Sequence, residues 1–325
     1  MFSVRCLKGA AALVAAAVPL LAPLSSQAQT IAPQYTGSYS LVSLGLPTGV
    51  PISLGGLTLQ SGNPNRLLIG GNANGTNGGI YAVDVVRGAG NHITGFSGAA
   101  TLFASAPNID GGLAYGPNGV LFATGYPNNT LLQYLPGATT PSKTITLPAS
   151  IASSVGALGF VPTGLPGAGS LKIISYNGGT FYDVGLVADG TGTYNLGTVT
   201  QTATGLSGPE GLVYVPTGSS LFSSSAMLVS EYGAGRVSAF DVDASGNPLV
   251  GTRREFITDL TGAEGAFIDP LTGDFLFSTF GGGNQVVAVR GFAVSAAPEP
   301  ASLGLLAGGT LPLVGAVRAA RRRRK

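Results

Sequence analysis

Short segments of alternating apolar and polar residues recur along the middle of the chain, and this period of two predicts β-strands. Residues 210–260 hold four such segments, separated by turns rich in Gly, Asp, Asn and Pro. The tightest turn is Gly233-Ala234-Gly235, where glycine accepts positive φ at little cost. The predicted strands of this antiparallel unit lie at residues 212–214, 227–231, 237–242 and 255–260.

The same unit recurs through the chain. Its first strand appears as GGLTL, GGLAY, GALGF, EGLVY and EGAFI, and successive copies begin 56, 45, 54 and 54 residues apart. These copies begin at Gly55, Gly111, Gly156, Glu210 and Glu264. Repeated units of four short strands are typical of a β-propeller. We therefore predict an all-β propeller of five blades, or of six if residues 55–106 hold two units.

The last unit is one strand short. It begins at Glu264 and ends near Phe292 with three predicted strands. A suitable fourth strand lies near the other end of the chain, in YSLVSLGL at residues 39–46. This segment precedes the first unit as REFITDL precedes the fifth. We predict that it completes the last blade, which would close the ring and remove open sheet edges.

The units resemble those of NHL-type and gluconolactonase-like propellers, in which a pattern of the form GLA-x-x-P-x-G-x-L-Y recurs. The segment GLAYGPNGVLFATGYPNN, from Gly112, matches this pattern best. The resemblance covers most of residues 48–292 and implies a propeller fold. The gluconolactonase likeness further implies a metal-dependent lactonase, whose calcium is held by Glu, Asn and Asp from inner strands. Only the Glu type matches here, and Gly stands at three of the five inner-strand starts.

Charge and cysteine content narrow the functional classes. Half of the 16 basic residues lie in the two ends of the chain, so residues 29–296 carry eight basic and 13 acidic side chains, a net charge of −5. This balance argues against a nucleic-acid-binding surface.

The single cysteine, Cys6, lies before the first apolar run, whereas the cysteine of a lipoprotein signal follows that run. The rest of the chain therefore has no disulfide, thiolate nucleophile or cysteine metal site.

The first 28 residues have the features of a secretory signal peptide. Arg5 and Lys8 precede an apolar stretch at residues 9–24, and small residues follow at Ser26 and Ala28. We expect signal peptidase to cut between Ala28 and Gln29. A retained membrane anchor is the alternative.

The C-terminal end, residues 297–325, combines three features in a fixed order. Pro298-Glu299-Pro300 is followed by an apolar segment at residues 301–317 and then by a basic cluster. As a helix, 17 residues would measure about 25 Å, close to the thickness of a bilayer core. The positive-inside rule keeps such a cluster cytoplasmic. The basic tail consists of Arg321, Arg322, Arg323, Arg324 and Lys325.

This tail resembles the PEP-CTERM sorting signal of Gram-negative bacteria. Pro298, Glu299 and Pro300 match its motif position by position. The resemblance implies that the membrane protease exosortase removes the helix and basic tail. It also implies export beyond the inner membrane, often in organisms that make extracellular polysaccharide. The alternative is an anchor that stays uncut. The predicted domains are thus a signal peptide (1–28), a propeller (29–296) and a sorting signal (297–325).

Acidic residues begin two neighbouring inner strands. Glu210 and Glu264 occupy these starts, and Asp110 lies one residue before a third. In a propeller the two neighbouring blades would point their carboxylates to the same channel mouth. At about 8 Å and an effective dielectric constant near 20, two carboxylates would repel by about 2 kcal/mol. A bound Ca²⁺, a water network or a raised pKa would relieve this, and solvated or backbone-capping rim residues are the alternative.

Aromatic residues follow the second strands of four units and leave two interpretations open. These residues either pack between blades or form sugar-stacking platforms, although the lack of Trp disfavours glycan binding; they are Tyr126, Tyr176, Tyr232 and Phe280.

Glu231 is a further candidate acid or base for glycoside cleavage. His92, the only histidine, is expected to be a solvated loop residue, and it has no partners for a triad or zinc centre.

The sequence thus favours an exported, non-enzymatic propeller at the cell surface or in the extracellular matrix, associated with exopolysaccharide or the envelope. A calcium-dependent hydrolase of the lactonase type is the alternative.

Overall fold

The computed structural model describes residues 29–294 of the chain, which contain 21 β-strands and five short 3₁₀-helices. In chain order the strands are β1 (Thr30–Ile31), β2 (Ser40–Gly45), β3 (Leu57–Gln60), β4 (Asn63–Gly71), β5 (Gly79–Arg87), β6 (Ile93–Ser105), β7 (Ile109–Tyr115), β8 (Leu121–Gly125), β9 (Thr130–Tyr134), β10 (Lys143–Thr146), β11 (Val155–Phe160), β12 (Leu171–Ser175), β13 (Thr180–Ala188), β14 (Tyr194–Ala203), β15 (Pro209–Tyr214), β16 (Ala226–Glu231), β17 (Arg236–Asp241), β18 (Arg254–Thr258), β19 (Ala263–Ile268), β20 (Phe275–Thr279) and β21 (Val286–Arg290). The 3₁₀-helices are Pro33–Tyr35, Ala89–Asn91, Pro117–Gly119, Tyr232–Ala234 and Val250–Thr252.

The strands form five antiparallel sheets, which are the five blades of a β-propeller. From the innermost strand outward, the blades are β3–β6, β7–β10, β11–β14, β15–β18 and β19–β20–β21–β2. The prediction of five blades is confirmed, and the alternative of six is wrong because residues 57–105 form one four-stranded sheet.

The N-terminal strand closes the ring as predicted. β2 pairs antiparallel with β21, with Ser40 opposite Arg290 and Leu41 opposite Val289. The last blade therefore takes its outer strand from the start of the described chain. This pairing satisfies backbone groups that would otherwise form an open sheet edge.

A two-residue strand that the sequence did not reveal precedes this closure. β1 pairs with β18, Thr30 opposite Thr258, and gives the fourth blade a fifth strand. The next turn buries Tyr35 and Tyr39 among aromatic rings of the fourth and fifth blades. The ring centroids of Tyr35 and Phe256 lie 4.9 Å apart, and those of Tyr39 and Phe292 lie 4.6 Å apart. The N-terminal segment thus joins two blades.

The apolar core is divided among the gaps between blades. Five clusters of buried side chains fill these gaps, one for each pair of neighbouring blades. Leu57 and Leu276, for example, belong to the cluster between the first and fifth blades. Because each sheet packs against a neighbour on both faces, the second strands β8, β12, β16 and β20 are buried along their whole length.

Ion pairs bridge the first and last blades at the outer rim. His92 was expected to be solvated, but its Nδ1 lies 2.8 Å from Asp274 Oδ2, and only a third of the side chain is exposed. Arg87 contacts the buried carboxylate of Asp269 at 2.6 Å. The partners are distant in sequence, so pattern analysis had no signal for either pair.

The predicted leader, the Pro-Glu-Pro motif and the basic tail lie outside the described residues. Between residues 29 and 294, no helix is long and apolar enough to cross a membrane.

Candidate functional site

Three acidic side chains meet where the inner strands begin. Asp110 lies in β7, Glu210 in β15 and Glu264 in β19, and one carboxylate oxygen of each lies within 4.8 Å of the others. This grouping is tighter than the separation of about 8 Å considered from the sequence. We call these three residues the acidic cluster.

The acidic cluster is buried rather than solvated. Asp110 and Glu264 are 2% exposed and Glu210 is 7% exposed. Interactions with the Gly111 N–H and with Ser154 lower the pKa of Asp110 and so oppose the effect of burial. Nevertheless, Asp110 Oδ2 and Glu210 Oε2 are buried without any hydrogen-bond partner. Unpaired buried carboxylate oxygens are costly, so they point to a missing positive partner or to bound protons.

Burial and mutual repulsion shift the acid–base behaviour of the cluster. Burial raises the pKa of Asp110 to about 7, although a hydrogen bond with Glu264 opposes the rise. Burial, followed by the charge of Asp110, raises the pKa of Glu210 well above its usual range. Burial, followed by the charges of Glu210 and Asp110, does the same for Glu264. Without a cation, the cluster therefore holds protons at neutral pH.

Further oxygen donors surround the acidic cluster. It opens into a cavity of about 240 Å³, which Asn74, Ser154 and Asn177 also line. The Oδ1 atom of Asn74 is likewise buried without a hydrogen-bond partner. Asn74 was missed because it belongs to no strand start. Asn74 lies in the turn after β4, and the aromatic residues lie in the equivalent turns of the other blades. An alignment of these turns would have identified Asn74 as a candidate.

The four aromatic residues form the rim of this cavity. Tyr126, Tyr176, Tyr232 and Phe280 all line it. Neighbouring rings meet edge to face, with centroids 6.0 Å apart for Tyr176 and Tyr232 and 6.5 Å apart for Tyr232 and Phe280. Phe280 also packs against the core between the first two blades, which agrees with the packing interpretation from the sequence, while the sugar-stacking interpretation stays a prediction. We call these four residues the aromatic rim.

Glycines let the inner strands touch below the acidic cluster. A Cβ atom at Gly111 would overlap the backbone oxygen of Glu210, and one at Gly211 would overlap that of Glu264. A Cβ at Gly265 would lie 2.6 Å from the Cα of Gly56. Close packing also explains the glycines at three strand starts, which the sequence analysis treated as a departure from the lactonase pattern, because Cβ atoms at Gly55 and Gly156, like one at Gly111, would approach backbone oxygens too closely. We call this constriction, formed by Gly56, Gly111, Gly211 and Gly265, the glycine waist.

Glu231 does not belong to this site. Its buried carboxylate contacts Arg236 Nε at 2.8 Å and Arg253 Nη2 at 2.9 Å. It also accepts hydrogen bonds from the Ser207 N–H and the Ser238 hydroxyl. A carboxylate held by these four partners is structural, so its proposed role as a catalytic acid or base is wrong.

The geometry of the acidic cluster suits a calcium ion. Oxygen ligands lie 2.3–2.6 Å from Ca²⁺, so two ligands of one ion are at most about 5 Å apart. The separation of the three carboxylates falls within this limit. Asn74 Oδ1 and water would supply the same class of ligand. Mg²⁺, with ligands at 2.0–2.1 Å, would require the carboxylates to lie within about 4 Å.

Comparisons with known proteins yield similarities of fold. No protein-family model matches the chain, and no curated protein matches it. Among solved structures, the chain is similar to an auxiliary nutrient binding protein from Bacteroides ovatus, with 12% identity, a TM-score of 0.44 and coverage of 78% of this chain and 76% of that one. A related nutrient binding protein from Bacteroides thetaiotaomicron gives 12% identity, a TM-score of 0.44 and coverage of 77% and 76%. A candidate 6-phosphogluconolactonase from Bacteroides uniformis gives 13% identity, a TM-score of 0.41 and coverage of 69% and 63%.

Proposed function

We propose that this protein is an exported binding protein that holds a divalent cation, Ca²⁺, in its acidic cluster and captures a small polar ligand within the aromatic rim. The observation that carries the proposal is the meeting of three buried carboxylates, two of them with unpaired oxygens. Association with exopolysaccharide or envelope material would follow from a saccharide ligand, since aromatic rings stack on sugar faces.

Electrostatics favours a cation at this position. Each pair of ionised carboxylates at 4.8 Å repels by about 3.5 kcal/mol at an effective dielectric constant near 20. A divalent ion removes this repulsion and gives the unpaired oxygens a partner. Oxygen-only ligands are the preference of Ca²⁺ rather than of zinc.

Binding without turnover fits the remaining residues better than hydrolysis. Apart from the acidic cluster, the titratable side chains lining the cavity are the tyrosines of the aromatic rim. Burial raises the pKa of Tyr232, which makes it a poor base.

A calcium-dependent hydrolase of the lactonase type is the second candidate, because the acidic cluster and Asn74 together offer Glu, Asp and Asn oxygens. Lactone hydrolysis that is abolished by a chelator would favour this candidate.

Calcium should raise the melting temperature of the full chain at pH 8. If the dissociation constant is about 0.1 mM, 10 mM Ca²⁺ stabilises the fold by about 2.7 kcal/mol, which corresponds to about 5–10 °C. The variant Glu210→Gln should lose this response. Without calcium, however, the variant should melt above the wild type, because at pH 8 the buried wild-type carboxyl must either bind a proton or repel Asp110, whereas the amide does neither. Differential scanning calorimetry with and without calcium measures both effects.

Acidification and a surface variant provide the controls. Because burial raises the pKa of Asp110 to about 7 in the folded state, the stabilisation of the metal-free fold by its bound proton is complete below about pH 4 and is lost as the pH rises through about 7. The metal-free wild type should therefore melt higher at pH 5 than at pH 8. Asp259→Asn, a change at an exposed position, should respond to calcium like the wild type. Equal melting temperatures for wild type and Glu210→Gln, with and without calcium, would refute the metal site.

For export, we propose cleavage at both ends of the chain. Signal peptidase would act between Ala28 and Gln29, and exosortase would act at Pro298-Glu299-Pro300 after inner-membrane insertion of the C-terminal segment. The mature protein recovered from a host with exosortase should then lack residues 1–28 and the basic tail. Intact-mass spectrometry decides this, and a product that retains Arg321 to Lys325 would contradict processing. Glu299→Ala, which alters only the motif, should leave the tail uncut.

A further inference from the structure

A second cavity lies at the opposite end of the propeller channel. Its volume is about 790 Å³, and it is lined by the ends of all five inner strands and the turns that follow them. The last residue of each inner strand contributes to its wall: Gln60, Tyr115, Phe160, Tyr214 and Ile268. We call this cavity the apolar funnel.

The apolar funnel is separate from the acidic cluster. Each inner strand passes from the acidic cluster, through the glycine waist, to the funnel. At the waist the neighbouring backbones are so close that a single added methyl group would overlap them. A molecule in the funnel therefore does not reach the proposed cation site, and the two sites can be tested independently.

The chemistry of the funnel wall differs from that of the mouth. None of the side chains lining the funnel is charged. Val213, Phe267 and Ile268 are only partly buried and expose apolar surface to it. The polar groups of the wall are neutral, and the side-chain oxygen of Gln60 is buried without a hydrogen-bond partner. The wall thus offers apolar contact, and rotation of the Gln60 side chain would bring its unused acceptor to the funnel.

We propose that the apolar funnel binds a neutral, mainly apolar small molecule that carries a hydrogen-bond donor. The volume falls in the range of 300–1,000 Å³ that is typical of pockets for drug-sized ligands. A charged ligand would lose hydration without meeting an opposite charge, which disfavours it. A donor on the ligand would satisfy Gln60, while the inner-strand side chains cover its apolar body.

The probe that matches this description is N-phenyl-1-naphthylamine, which is neutral, aromatic and carries one N–H donor. Its fluorescence, titrated with the full chain, should saturate at one equivalent with a micromolar dissociation constant. The anionic analogue 8-anilinonaphthalene-1-sulfonate, which adds a sulfonate to the same scaffold, should bind at least tenfold more weakly. Stronger binding of the anion would overturn the proposal.

Variants at the two ends of the channel test whether the neutral probe binds in the apolar funnel. Ala114→Arg, which places a charge in the funnel wall, should weaken binding of the neutral probe at least tenfold, whereas Glu210→Gln at the other end should not change it. Gln60→Leu should reduce the preference for the probe over 1-benzylnaphthalene, in which CH₂ replaces N–H, by about threefold to tenfold. Unchanged probe affinity in a folded Ala114→Arg protein would overturn the proposal.

A measurement on the unmodified chain covers the case in which Ala114→Arg does not fold. With alanine methyl groups labelled for NMR, saturating probe should shift the signals of Ala114 and Ala266, which line the funnel, and leave that of Ala138 unchanged. Absence of shifts at both funnel alanines would equally refute the site.

Discussion

A chain that lacks residues 29–46 should no longer unfold in a single cooperative transition. The deletion removes β2 and exposes the edge of β21 along the whole fifth blade. It also removes Tyr35 and Tyr39, which are 2% and 4% exposed and pack between the fourth and fifth blades. Urea unfolding followed by near-ultraviolet circular dichroism, which reports the packing of tyrosines, measures this loss.

The size of the effect follows from the area that these two rings bury. A buried aromatic side chain removes 150–250 Å² from water, which is worth about 4–6 kcal/mol at 25 cal/mol per Å². Two such rings approach the whole stability of a typical domain, about 5–15 kcal/mol. These values are upper estimates because unfolded chains already bury some surface. The lost strand pairing adds to them.

A permuted chain is the matched control. Ser40 pairs with Arg290, and Gly291 lies against the backbone of Ser38, so the end of β21 lies beside the start of β2. Residues 29–46 can therefore be attached after residue 294 through a flexible linker that reaches residue 29. In this arrangement β2 would follow β21, as the outer strand follows the third strand in every other blade. The permuted protein should recover most of the stability. Deletion of residues 29–32 alone, which removes β1, should cost far less. A cooperative transition at the wild-type midpoint in the chain lacking residues 29–46 would contradict the role of β2.

The substitution Gly111→Ala should lower the free energy of unfolding by about 3 kcal/mol, the upper part of the usual range for overpacking, and the melting temperature by about 6–12 °C. The added methyl group would overlap the backbone oxygen of Glu210, and backbone cannot rotate away as a side chain can. Because that backbone carries a member of the acidic cluster, calcium affinity should fall as well. Thermal unfolding with and without calcium measures both effects.

Gly95→Ala is the matched control for this substitution. Gly95 lies in β6 and, like Gly111, is in a strand, but a Cβ there would have no neighbour within 4 Å. Alanine also restricts the unfolded chain more than glycine does, so the control should be neutral or slightly stabilising. A loss for Gly111→Ala no larger than that for Gly95→Ala would contradict close contact at the glycine waist.

The sequence was most informative where the structural cause is local. Strand alternation and turn glycines within each repeat predicted five blades, and the missing fourth strand led to β2. β1 escaped because two residues show no alternation. The role of Gly111 in the glycine waist was missed because a contact between two blades leaves no mark in the periodicity of either one.

The candidate site was predicted in part for the same reason. Glu210 and Glu264 stand out because they occupy equivalent repeat positions, and Asp110 lies beside a third. Asn74 reaches the cavity from a different turn, and its missing partner is visible only in three dimensions. Similarly, only the paired arginines show that Glu231 is structural. The apolar funnel had no sequence signal because its wall is assembled from strand ends of all five blades.

The pairing of β2 with β21 also determines when the ring can close as the chain emerges. β2 emerges early from the ribosome, whereas its partner emerges only near the end of the described residues. Contacts between such distant segments form slowly because a long loop must close first. Until β21 arrives, the ring stays open and the tyrosines near the start have no fifth blade to pack against. A protein built this way remains loosely structured until its last strand is available and becomes rigid only after β21 has paired with β2.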